Sequence, residues 1–89
     1  MSYGWIITHD YTEFDESDVG VIGPSGLQFT KEQILKGRAF KMKDDDGKNV
    51  YRGSIIGKYN GFEPLDDFGM PNAGCTVISY FVKGKWEEN

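Results

Sequence analysis

A small α+β domain, with a mostly antiparallel sheet of about five or six strands and one short helix, is predicted by three features of the sequence. Short apolar, β-branched and aromatic runs recur between turn-forming clusters. One segment alone carries helix-end signals. Twelve glycines accompany 2 Trp, 5 Tyr and 6 Phe in 89 residues, a composition of strands and tight turns rather than of disorder. The order reads ββαββββ, with the sheet either wrapped on itself like a barrel or laid over the helix. The length suits one domain spanning residues 1–89 and leaves no room for a dinucleotide-binding fold or a kinase-like lobe.

Gly4-Trp5-Ile6-Ile7-Thr8-His9 reads as a first strand buried on both faces at its centre. Asp10 to Asp18 follows as a solvated acidic loop, and Val19 to Gly23 as a short strand ended by Gly23-Pro24-Ser25-Gly26. In Phe29 to Gly37, Thr30 and Gln33 stand at capping-box spacing, and Phe29 and Ile34 occupy the staple positions. Gly37 suits a left-handed residue just past the helix end. So short a helix must rest Ile34 and Leu35 on the sheet to exist.

Arg38 to Lys43 alternates strictly, and Asp44-Asp45-Asp46-Gly47 turns the chain into a longer strand from Asn49 to Tyr59. A two-residue turn at Asp46-Gly47 sets Met42 opposite Tyr51, Phe40 opposite Gly53, and Lys41 opposite Arg52. Two like charges directly opposed are unfavourable, so that face is either solvated or awaiting an anion. Lys41, Lys43 and Arg52 are therefore a candidate anion-binding face. A last hairpin, Thr76 to Val82 and Lys85 to Glu87 about Lys83-Gly84, brings Phe81 to Trp86.

The segment from Tyr59 to Cys75 is long for a connection in a compact domain and too hydrophobic for a solvated tail. An Ω-like loop packed by its own side chains is expected. Either it completes a small core, or Phe62, Glu63, Leu65, Asp66, Asp67, Phe68 and Met70 form a partner-binding surface.

The net charge of −4 is segregated: −5 over residues 1–30, +4 over 31–58 and −3 over 59–89. Such asymmetry fits a partner-facing surface as well as internal neutralisation. The lone Cys75 cannot form an internal disulfide, and the first 30 residues hold no Lys or Arg for a signal peptide. A cytoplasmic protein with no membrane partner is expected.

Cys75, His9 and Asp66 or Asp67 have the residue types of a thiol hydrolase, but nothing in their spacing brings them together. His9 lacks a second ligand at zinc spacing. The Asp44–Asp46 run lacks the alternating ligands and terminal Glu of a calcium loop, although a calcium module stays an alternative. No metal site and no cofactor are expected. The strand bases could meet phosphates, but the acidic remainder of the surface opposes a nucleic-acid partner. The converse, an acidic surface standing in for nucleic acid, remains open.

Trp5-Ile6-Ile7-Thr8 with Asp10, Phe40 to Gly53, and above all Gly61 to Thr76 (GFEPLDDFGMPNAGCT) resemble a small uncharacterised bacterial protein family. That resemblance transfers no activity and no catalytic residue. In size and charge the chain is also similar to small acidic phage inhibitors of bacterial defence systems. The expected function is a non-enzymatic domain that binds another protein through the 59–75 loop and acidic surface, as in an inhibitor of a nucleic-acid-handling complex. A small hydrolase or ligand site at Cys75 and His9 is the alternative. Exposed sheet edges leave room for a homodimer.

Overall fold

The computed structural model describes residues 3–12, 19–24 and 29–89. Along the chain come β1 (Tyr3–Asp10), β2 (Ile22–Gly23), α1 (Lys31–Leu35), β3 (Arg38–Lys43) and β4 (Asn49–Gly57). A π turn (Leu65–Gly69) then runs into α2 (Met70–Ala73), followed by β5 (Val77–Val82) and β6 (Lys85–Glu88). The strands form one antiparallel sheet in the order β2-β1-β4-β3-β5-β6. The fold is therefore the expected small α+β domain. The sheet does not close into a barrel, because its edges are β2 and β6 and a two-residue β2 offers too short a ladder for closure. Residues 13–18 of the expected acidic loop and residues 25–26 of the expected turn lie outside the described residues.

The β3–β4 register pairs Phe40 with Gly53, Lys41 with Arg52 and Met42 with Tyr51, as expected, but by a different turn. Gly47 adopts the left-handed conformation (φ 79°) and its N–H donates to the Asp44 carbonyl, so Asp45 and Asp46 occupy the centre of the turn. The resulting one-residue shift is undone by a bulge that leaves Val50 unpaired between Asn49 and Tyr51. A second bulge sets Thr8 between Ile7, opposite Gly53, and His9, opposite Arg52. At the far hairpin Lys83 and Gly84 both have positive φ, the backbone of a tight two-residue turn, and Phe81 pairs with Trp86.

Alternation along these strands divides the sheet into two faces. Trp5, Ile7, Phe40, Met42, Tyr51, Ile55, Ile78 and Tyr80 point to one face and share a single buried cluster with Leu65, Phe68 and Cys75. The expected Ω-like loop is helical instead and roofs this face. Pro64 (φ −62°) starts the turn with its backbone already set, and the Met70 N–H reaches back five residues to the Leu65 carbonyl. Pro71 has no N–H to return to the carbonyl four residues earlier, and the Asn72 amide side chain donates to the Phe68 carbonyl at 2.9 Å. Gly74 (φ 67°) ends the segment, its N–H bonded to the Met70 carbonyl.

Ile6 and Ile34 are fully buried apolar side chains outside that cluster, and α1 packs against β1 and β4. The capping box is formed as expected: Thr30 Oγ1 accepts from the Gln33 N–H, and Gln33 Oε1 accepts from the Thr30 N–H. Gly37 is not left-handed. It is required because a Cβ there would overlap the Ile55 carbonyl oxygen, so glycine lets the chain leave α1 in contact with β4. Leu35, expected to pack, is exposed. No helix among the described residues is long and apolar enough to cross a membrane.

Candidate functional site: the open half of the sheet

The residues expected to bind a partner on the 59–75 segment separate into two groups. Leu65 and Phe68 are core: Phe68 lies 5.4 Å from the Trp5 ring and 5.0 Å from that of Tyr51. Glu63 is buried too, its carboxylate accepting the Asn60 N–H at 2.8 Å and the Gly61 N–H at 2.9 Å. Asp67 is bound to β1, where Oδ2 accepts from the Tyr3 hydroxyl at 2.8 Å and from the Trp5 indole N–H at 2.9 Å. Desolvation first, and then this carboxylate, push the Tyr3 hydroxyl up to about 12. Phe62, Asp66 and Met70 stay exposed, as does Asp67 despite its bonds to β1. The segment's polar groups thus mostly hold the roof in place.

Cys75 and His9 are not brought together. The thiol is fully buried in the core cluster, and burial followed by the Asp44 charge pushes it up to about 11, far from a reactive thiolate. His9 is exposed and pairs with Arg52, whose neighbours Tyr51 and Gly53 belong to the roofed face. It therefore stands on the opposite side of the sheet, with its Nδ1 2.9 Å from Thr8 Oγ1. In the Asp44–Asp46 turn, Asp44 Oδ1 accepts the backbone N–H groups of Asp46 and Lys48. Among the described residues no group of three or more potential metal ligands is gathered.

The third candidate set does converge. Lys41 and Arg52 are directly opposed on the face away from the core cluster, in the part that α1 leaves uncovered. Across β5, where Lys41 faces the small, buried Ser79, the indole of Trp86 reaches back towards them. Lys41 Nζ lies 4.5 Å and the Arg52 guanidinium carbon 5.2 Å from the indole centroid. Phe81, 44% exposed, meets the indole edge-on at 5.3 Å. Loss of solvent, then the charges of Lys43 and Arg52, lower the Lys41 ammonium from its usual range, so Lys43 shares the same field.

Opposing two like charges across a strand pair costs on the order of 0.2–1 kcal/mol. A cation over an exposed indole gains about 0.5–1 kcal/mol, so two of them offset that cost. The indole therefore explains why both cations can be held side by side. Glu88 stands on the same face two strands from Lys41, and no ion pair joins a described carboxylate to Lys41 or Arg52.

Trp86 and Phe81 are the site residues that the sequence left unassigned. Of the tyrosines nearest these bases in the sequence, Tyr51 is in the core and Tyr59 stacks on Tyr80 at 6.0 Å. The determining contact is the β3–β5 pairing, which joins segments almost forty residues apart and leaves no local signature. Compared with known proteins, the chain matches no family model, no curated protein and no solved structure.

Proposed function

We propose that this protein is a non-enzymatic domain that works by docking onto another protein, and that its working surface is the open basic–aromatic half of the sheet. The observation that carries this reading is the Lys41–Arg52 pair held against Trp86 with no carboxylate partner among the described residues. Aromatic and Arg side chains are the residue types that dominate binding energies at protein interfaces. The groups that would perform nucleophilic chemistry are apart, and the thiol is buried.

This reading shifts the expected surface away from the 59–75 segment, whose most apolar residues now have a structural task. The exposed Phe62, Asp66 and Met70 support a second reading in which that roof, with the acidic surface around it, meets the partner and blocks a nucleic-acid-handling complex. A pull-down from cells that contain the partner separates the two. The double variant Lys41→Ala/Arg52→Ala should lose the bound protein, and Phe62→Ala/Met70→Ala should keep it. The reverse pattern refutes the sheet-face reading.

A further inference from the structure

We infer that the partner element received by this face is an extended acidic segment of the other protein, whose carboxylates meet Lys41 and Arg52 together; this rests on the docking function proposed above. The two cations converge beside one indole with no ion pair to a carboxylate among the described residues, so the chemistry that complements the described site is anionic. Arg52 offers a planar fork that fits a carboxylate with two hydrogen bonds, and Lys41 a point charge beside it. Because the indole already holds both cations, little side-chain freedom is lost when the anion arrives.

The shape of the surface fixes the form of the ligand. The basic residues of this face lie along β3, with Lys43, Lys41 and Arg52 at one end and Lys36, just before the strand, beyond the other, whereas Arg38 alternates to the roofed side opposite Ile55 and donates to the Phe81 carbonyl at 3.2 Å. Between them Phe81 belongs to both parts, touching Trp86 and forming a wall of a groove of about 570 Å³ with Lys36, Arg38 and Tyr59. From residue 38 to residue 43 a strand rises about 17 Å, the span of five or six extended residues. An acidic stretch of that length, with an apolar residue near its middle, meets Lys41 and Arg52 beside Trp86 at one end, Phe81 further along and Lys36 at the other end.

A single-stranded nucleic acid is also anionic and extended, but two observations favour the peptide. Stacking a base on Trp86 must compete with the two cations already against the ring, whereas a carboxylate leaves them there. The protein is net −4, which opposes a long polyanion more than a short segment.

The test is an amide and indole NMR titration of the folded full chain with hexaglutamate, with a six-residue oligothymidylate as a parallel arm. Hexaglutamate should shift the Trp86 indole signal and the amides of Lys41, Arg52 and Ser79, leave the Trp5 indole unmoved, and weaken as salt is raised. Lys41→Ala/Arg52→Ala, its fold verified by an otherwise unchanged spectrum, should bind about tenfold more weakly, the sum expected for two partly exposed charge pairs. Shifts confined to the surroundings of Phe62 and Met70, no shift at millimolar peptide, or tighter binding of the oligothymidylate to the same signals would each overturn the inference. If hexaglutamate fails while the pull-down still depends on Lys41 and Arg52, the acidic segment is refuted and the docking reading survives.

Discussion

The two faces of the sheet put similar residue types to opposite uses. On the roofed face, the segment after β4 turns its largest side chains inward: Phe68 wedges between Trp5 and Tyr51, the buried Glu63 gives both carboxylate oxygens to backbone N–H groups, and the exposed Asp67 gives Oδ2 to Tyr3 and Trp5. On the open face, Lys41 and Arg52 lie against Trp86 with no ion pair to a carboxylate among the described residues. Composition alone made the first region the more attractive site. What distinguishes them is whether charges already have partners, because a satisfied buried carboxylate has nothing left to offer a ligand.

The largest expected effect tests whether the roof is structure. Phe68→Ala should cost about 3–5 kcal/mol in urea unfolding, as deletion of a buried aromatic ring does. Trp86→Ala, on the open face, should cost far less, since the indole is only half-buried. Equal losses would erase the contrast between the faces.

An intermediate effect concerns alkaline pH. Cys75 rises from 9.0 to about 11 and Tyr3 from 10.0 to about 12 on folding, so the folded chain holds both protons more tightly than the unfolded chain. Their contribution is complete below pH 9, and is lost as pH rises through the two folded values. The urea midpoint should therefore fall between about pH 9 and 12, first through Cys75 and then through Tyr3. Asp67→Asn should bring the Tyr3 titration, followed by its ultraviolet absorbance, part of the way back towards 10, because desolvation persists when the carboxylate is gone. An unchanged Tyr3 titration would mean that Asp67 does not hold the roof to β1 in solution.

The smallest effect belongs to the proposed site. Lys41→Ala/Arg52→Ala should change unfolding free energy by no more than about 0.5 kcal/mol, since removing a repulsion and two cation–π contacts nearly cancels. A loss as large as that of Phe68→Ala would make these residues part of the scaffold.

Much of the scaffold was legible because its signals are local. The Thr30–Gln33 box, the Arg38–Lys43 alternation and the Lys83-Gly84 turn each fix a short piece of backbone from residues within a few positions. The π turn was not, since Pro64, Pro71 and Gly74 punctuate a segment whose helicity depends on the core that Leu65 and Phe68 enter. The local pattern points to a glycine at 37 for a left-handed turn, but its actual constraint, the Ile55 carbonyl, lies eighteen residues away in sequence. The site followed the same rule, with the Lys41–Arg52 half visible in a hairpin and the Trp86 half supplied by a distant strand.

The central claim is that the open face, not the roof, meets the partner, and a matched pair of positions tests it. Phe62 and Phe81 are both 44% exposed, one on each region. A photo-crosslinking phenylalanine analogue placed at one or the other, in cells that contain the partner, compares the two surfaces at equal accessibility. Crosslinking from position 81, abolished by Lys41→Ala/Arg52→Ala, is the predicted result; crosslinking from position 62 alone would contradict it.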